Sequence, residues 1–388
     1  MKVTRFLPIV TSIVVRQGGT QNRVQAVVLR RQATRMMSSK SSSDNNNNIK
    51  NVGLTTDDQT DAAKRRKQGE WVRGVSSARD WIEDSEDAKY PVEAGRYHLY
   101  LAYNCPWCHR VLLGRAIQGL EDAISVDVLF PNRSSDSEPL GPNLWKFEPD
   151  GQVGQNGKHV SFPSCTVDTG TGKNYKYVKE IYEASGITDQ KSVPILYDKK
   201  TKTIVNNESA EILRMFGTVF QKLSTNRSVD LYPEKDRAAI DELNDWVYKD
   251  VANGAYKAGF SSSQETYENA YEGFFAALDK LDNIFASNKF LVGDSVTEAD
   301  VRLFPPLFRF DPVYHNRFKL NKKFMWEYPH LWRWMGDMMR LPGMEHATSE
   351  EYLQHCKQGY FGRTGNGTVP KGPLGYPECY KSKHWTHQ

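Results

Sequence analysis

The chain reads Gly95-Arg96-Tyr97-His98-Leu99-Tyr100-Leu101-Ala102-Tyr103-Asn104-Cys105-Pro106-Trp107-Cys108-His109-Arg110 near the end of its first quarter, a strand pattern running into a helix start. Tyr97, Leu99 and Leu101 alternate with His98 and Tyr100, which predicts a short β-strand. Beyond Pro106, the residues Val111, Leu112, Leu113, Ala116 and Ile117 recur at helical spacing. Proline favours the first position of a helix, so Cys105 falls at or beside the N-cap. A thiol there meets unpaired backbone N–H groups and the positive end of the helix dipole. Both lower its pKa and make the thiolate available near neutral pH. The plainer readings of Cys105 and Cys108 are an inert buried thiol and half of a zinc site. Zinc needs two more ligands, and Cys165, Cys356 and Cys379 stand apart without a second pair. The favoured reading is a redox-active thiol on a helix tip, with no metal.

The 388 residues are enough for two domains with cores of their own. Hydrophobic content of 39% and charged content of 25% belong to an ordinary soluble globular protein. Five cysteines, an odd number with one Cys-x-x-Cys pair, point to a reducing compartment and away from a disulfide scaffold. The net charge of +4 misleads: residues 1–50 hold nine Lys/Arg and a single acid, Asp44, which leaves 42 basic against 46 acidic residues in the rest. The remainder is mildly acidic, which argues against nucleic acid as a partner.

Residues 1–50 are Arg-rich, carry Ser at 41–43 and are poor in acids, the composition of an organelle transit peptide. The apolar run at 6–15 is too short to span a bilayer, so no membrane partner is expected. A mitochondrial destination is favoured, with a plastid as the alternative and the cytoplasm if the segment is only a disordered tail. Residues 51–94 read as an extended N-terminal arm lying on the first domain.

From 95 to 220 the pattern is mixed. Residues 125–130 predict a second strand, 131–175 a long irregular insert, and 175–184 a helix closing at Gly186. Residues 192–197 and 203–205 predict a hairpin, after which Asn206-Asn207-Glu208-Ser209-Ala210-Glu211 opens a helix with an Asn cap. The order β-α-β-α-β-β-α with Cys at the first helix tip is that of a thioredoxin-like domain, in which the proline opening the third strand lies beside the Cys and is usually cis. Val193-Pro194 occupies that place. From 231 to 345 the periodicity is helical: Ile240, Leu243, Trp246 and Val247 form one stripe, and Ala270, Phe274, Ala277, Leu278 and Leu281 another. Thr297-Glu298-Ala299-Asp300 is a capping-box start with a structural role. Residues 346–388 form a C-terminal extension, whose Gly/Pro/Lys-rich tail is expected to begin at Gly359-Tyr360-Phe361 and wrap the surface. The fold class expected is α+β, a thioredoxin-like domain followed by an all-α domain.

That architecture is similar to a glutathione transferase. More narrowly, Asn104-Cys105-Pro106-Trp107 with His109-Arg110, Val193-Pro194-Ile195-Leu196-Tyr197-Asp198-Lys199, Asn207-Glu208-Ser209-Ala210-Glu211, Tyr256-Lys257-Ala258-Gly259-Phe260 and Phe310-Asp311-Pro312-Val313-Tyr314 resemble the glutathionyl-hydroquinone reductases, the Xi class, over roughly residues 70 to 375. The resemblance implies that Cys105 is the nucleophile and that Glu208 and Ser209 hold the γ-glutamyl end of glutathione. It implies that Val193 pairs its backbone with the cysteinyl unit, that Trp145 packs over the tripeptide, and that Lys191 stands near the basic residue expected before the third strand. Tyr256, Tyr314 and Tyr360 would line a quinol pocket and donate to its oxygens. Singly, each has a plainer reading, since Tyr and Trp are most often core and Glu208 is a favourable first-turn acid. Where relatives carry Ala, this chain has Cys108, which either resolves a mixed disulfide one helical turn from Cys105 or stays buried and silent.

The implied partners are glutathione, as cosubstrate, and glutathionylated quinols; the implied assembly is a homodimer. The implied reaction leaves Cys105 in a mixed disulfide with glutathione, which a second glutathione clears. Two other readings stand beside it: an omega-like thioltransferase or dehydroascorbate reductase, which does not require the tyrosine trio, and a non-catalytic interaction module, which requires none of Cys105, Glu208 and Ser209.

Overall fold

The computed structural model describes residues 65–380. The transit-peptide reading of 1–50, the first part of the arm and residues 381–388 lie outside the described residues.

Strand β1 (Tyr97–Leu101) leads into helix α1 (Pro106–Ile117), then β2 (Ile124–Val128). A two-residue hairpin, β3 (Gln152–Val153) and β4 (His159–Val160), punctuates the insert that sequence alone leaves irregular. Then come α2 (Val178–Ala184), β5 (Ile195–Asp198), β6 (Thr203–Asn206) and α3 (Ser209–Phe216). The main sheet runs β2-β1-β5-β6, with β1 parallel to β2 and antiparallel to β5, and β6 antiparallel to β5. This is the predicted thioredoxin-like order.

All five residues of β1 are buried, so its alternation does not mark one wet face. The insert covers the second face: Tyr100 donates to Asp168 at 2.8 Å, and Gly170 lies so close that a Cβ there would meet Tyr100 Oη at 2.4 Å and the His98 ring at 2.5 Å. Glycine at 170 is therefore a packing requirement.

Helix α2 starts at Val178 because Tyr177 is held extended by a bridge to Lys146. Helix α3 is capped by Glu208, whose carboxylate accepts the Ala210 N–H at 3.0 Å, while Asn206 accepts the Glu208 N–H at 2.7 Å from outside the helix. Gly359, Tyr360 and Phe361 do not begin a surface tail but end a helix.

The second part is helical: α4 (Arg237–Val247), a π-turn (Tyr248–Ala252), α5 (Asn253–Phe260), α6 (Gln264–Phe285), α7 (Glu298–Phe308), a second π-turn (Phe310–Tyr314), α8 (Pro329–Met339) and α9 (Glu350–Phe361). The chain beyond α9 packs back, with Tyr376 donating to Phe308 O and Tyr380 against Trp332, ring centroids 4.0 Å apart. Asp300 closes the α7 cap as expected, accepting the Thr297 N–H at 3.0 Å. Among the described residues no helix is long and apolar enough to cross a membrane.

The two parts share one interior. Arg214 of α3 reaches Glu298 of α7 at 2.6 and 2.8 Å, and Arg302 and Asn244 complete the same carboxylate at 2.9 and 2.7 Å. Arg309 donates to Tyr103 O at 2.7 Å and to His109 Nδ1 at 2.8 Å; His109 Nε2 donates to Ala347 O at 2.9 Å. The His109 imidazole is held neutral, its pKa pushed far down by burial and by the Arg309 charge.

The arm crosses both parts. Its backbone pairs with the edge of β6 (Asp80 N–H to Val205 O at 3.0 Å, Asn207 N–H to Ala78 O at 3.0 Å), and Arg79 forks onto Glu211 at 2.7 and 2.5 Å. Its other end lies on the start of α6, where Gly69 O accepts from Ser262 N at 3.0 Å and Thr266 Oγ1 at 3.2 Å. It is thus a strap between the sheet edge and the helical part, not a covering of the first domain alone.

Candidate active site

Cys105 is the N-cap of α1, in extended backbone, with Pro106 opening the helix as expected. Its Sγ lies 3.8 Å from Val193 O, and the Val193-Pro194 peptide is cis at the mouth of β5. Burial by itself would raise the Cys105 pKa. The Cys108 thiol, the N–H groups of Cys108 and Trp107 and the Arg73 charge outweigh it and bring the pKa down to about 6. Cys108, 1% exposed, is pushed the other way by burial and by the Cys105 sulfur, so it remains a protonated donor. A thiolate at a helix tip beside an open backbone carbonyl can attack a sulfur atom of a peptide-like thiol adduct.

Of the predicted peptide-binding residues, Val193 touches Cys105, and Glu208 and Ser209 are tied to α1 through Arg110. Glu208 and Ser209 sit at the tip of α3, where Ser209 Oγ takes a hydrogen bond from Arg110 at 3.1 Å and Ser76 of the arm donates to Glu208 at 3.1 Å. Trp145 is buried, its backbone bonded to Val178. Lys191 is exposed and makes no ion pair or hydrogen bond among the described residues. Its neighbour Gln190 turns inward instead, donating to Val75 O at 3.1 Å and accepting from Asn207 at 3.3 Å.

The three tyrosines converge from α5, the second π-turn and α9. Tyr256 and Tyr360 share a hydrogen bond of 2.6 Å, and Tyr314 stands edge-on to both at 6.3 and 5.9 Å. The Tyr314 side chain is fully buried, and its hydroxyl makes no hydrogen bond. Burial raises the pKa of all three, and Cys105 adds to the effect on Tyr256, so they are donors at neutral pH.

Four residues that sequence reasoning passed over complete the walls. Trp71 and Arg73 come from the arm: the guanidinium lies 4.0 Å from the Trp107 ring centre and 5.3 Å from that of Tyr256, and Trp71 meets Tyr256 at 5.3 Å. Ser76 is the third. The fourth, Arg133, lies over Trp145 at 4.2 Å. All four belong to segments without periodicity, where only the pairing of distant backbones sets the direction of a side chain.

Residues 104–219 match the glutathione S-transferase N-terminal domain family and 264–337 the glutathione S-transferase C-terminal domain family. The chain is 37% identical over 300 residues to glutathionyl-hydroquinone reductase YqjG of Escherichia coli, covering 76% of this chain and 84% of that protein. It is 38% identical over 311 residues to glutathionyl-hydroquinone reductase PcpF of Sphingobium chlorophenolicum, covering 79% and 90%. Its backbone is similar to glutathione-S-transferase Xi from Phanerochaete chrysosporium (40% identity, 79% of this chain and 94% of the other, TM-score 0.70). It is similar too to the glutathione-bound structure of YqjG (36% identity, 76% and 92%, TM-score 0.66).

Proposed function

The chain belongs to the glutathione transferase family, among the Xi-class glutathionyl-hydroquinone reductases, and on that premise we propose that it reduces glutathionyl-hydroquinones to hydroquinones at the expense of glutathione. The observation that carries the reading is the Tyr256–Tyr360 hydroxyl pair, with the buried Tyr314 ring edge-on to both and the Cys105 charge acting on Tyr256. A peptide-like thiol requires the cysteine alone; phenolic donors gathered against it suit a ring that carries oxygens.

In the proposed cycle the Cys105 thiolate attacks the thioether sulfur of the conjugate. The sulfur–sulfur bond forms, the ring carbon–sulfur bond breaks, and the ring leaves with the electron pair and takes up a proton from the tyrosine cluster. The ring is reduced, and the glutathionyl group stays on Cys105 as a mixed disulfide. A second glutathione thiolate attacks that disulfide, releasing oxidised glutathione and the Cys105 thiolate. Glu208 and Ser209 at the α3 tip, the Val193 backbone and Trp145 are assigned to the peptide, and Cys108 is assigned to supplying a hydrogen bond to Cys105; its burial and raised pKa suit a donor better than a second nucleophile.

The test mixes the protein with a glutathionyl-hydroquinone and excess glutathione and follows free hydroquinone and oxidised glutathione. Turnover that disappears in Cys105→Ala supports the reading; a wild-type protein that binds glutathione without turnover returns it to a thioltransferase or a binding module. A homodimer and an organellar destination directed by residues 1–50 belong to the same proposal. Sedimentation, and the location of a fluorescent fusion with and without residues 1–50, decide them.

A further inference from the structure

Arg133 occupies an unusual position for a cation. Phe130 N–H bonds Lys146 O at 3.0 Å and Ser134 N–H bonds Leu144 O at 2.9 Å, so the two segments run side by side and set Arg133 on the face of Trp145, 4.2 Å from its centre. Pro131 O, two residues back, accepts from Asn104 at 3.2 Å, which holds this loop against the residue preceding Cys105. Arg363, two residues past the end of α9 and three past Tyr360, joins from the other side. It donates to Asn143 Oδ1 at 3.3 Å, and Asn143 N–H bonds Ser134 O at 2.9 Å. Two guanidinium groups therefore flank one loop beside Cys105, and among the described residues neither has a carboxylate at ion-pair distance.

Arg133 is exposed to solvent, yet crowding lowers its pKa by desolvation, with the Cys105 sulfur the largest charge acting against that shift. Exposed and crowded together describe a cation inside a concave cleft. Stacked on an aromatic face, its fork is already oriented, and a guanidinium fork matches a carboxylate.

We infer that Arg133 and Arg363 form an anion subsite in the wall of the Cys105 cleft, which takes a carboxylate of the bound adduct. Two parts of an adduct carry that chemistry: the glycyl end of its glutathionyl group and an acidic substituent on its ring. The choice between them rests on the reductase reading; the subsite itself does not.

Labelling of Cys105 by anionic iodoacetate and by neutral iodoacetamide, read as a ratio of rates on the Cys105 peptide, tests the subsite without turnover. Both reagents meet the same thiolate, so a change in its pKa cancels. Arg133→Gln should lower the ratio about tenfold and Arg363→Gln by a smaller factor, while Arg133→Lys keeps most of it. An unchanged ratio in Arg133→Gln overturns the inference. The second arm compares kcat/KM for a glutathionyl-hydroquinone, its glycyl amide and a ring-carboxylated form. A loss in Arg133→Gln that spares the amide assigns the carboxylate to glutathione, and one confined to the ring acid assigns it to the ring. Equal loss for all three overturns the subsite. If no adduct is turned over by wild type, the reductase reading fails while the labelling ratio still decides the subsite.

Discussion

At the scale of single residues, the neighbours of Cys105 matter as much as the sulfur. With Cys108 as a hydrogen-bond donor, Cys108→Ala should retain turnover while the pH profile of Cys105 alkylation moves to higher pH by about one unit, because the thiolate loses a donor. The loss of rate is then largest near pH 6 and fades at alkaline pH; stopped-flow alkylation across pH 5 to 9 checks it, and abolished turnover would make Cys108 a resolving thiol. Tyr314→Phe removes a buried hydroxyl that satisfies nothing in the free protein. The melting temperature should hold or rise while kcat falls about 100-fold, as for loss of one oriented donor. Cys105 is legible in the sequence because Pro106 marks a helix start locally, whereas Glu208 and Ser209 come from the family resemblance, the local pattern pointing to an Asn cap where Glu208 caps the helix. Arg73 and Arg133 are not legible, since each sits in an irregular segment set by backbone pairing outside any periodic pattern: Gly69 and Ala78 with Ser262 and Asn207 on either side of Arg73, and Phe130 and Ser134 with Lys146 and Leu144 around Arg133.

At the scale of elements, the strand and helix order of the first domain was readable because turn chemistry and hydrophobic period agree there. What escaped is where an element's register changes. The two π-turns, Tyr248–Ala252 and Phe310–Tyr314, have no signature in a 3.6-residue pattern, yet the second delivers Tyr314. Gly359 reads in the sequence as the start of a tail; in place it is packing inside α9, where a Cβ would strike the Asn104 side chain. The Thr297 cap has the structural role its sequence predicts, and Glu298 beside it joins α3 to α7. Glu298→Gln leaves Arg214 and Arg302 buried without their shared charge and should cost about 3 to 5 kcal/mol by denaturant titration. The arginines depress the Glu298 pKa against the effect of burial. Its contribution is therefore present above the unfolded carboxylate pKa and disappears as pH falls through the depressed folded value. The gap between variant and wild type should narrow in acid.

At the scale of the molecule, the Glu298 cluster, the Arg309–His109 pair and the arm all cross between the thioredoxin-like and helical parts. Neither part keeps a closed interior alone, so calorimetry should record one transition; two separated transitions would mean that the parts unfold independently. The arm carries a further consequence. If residues 1–50 serve as an import leader, the peptidase that trims them works against a fixed ruler. A cut before Arg65 spares the strap, whereas a cut after Asp80 removes Arg73 from the Trp107 face, Ser76 from Glu208 and Arg79 from Glu211 in one stroke. Maturation and competence then meet in one segment: a chain that began after Asp80 would keep its nucleophile and lose the side chains that wall its cleft.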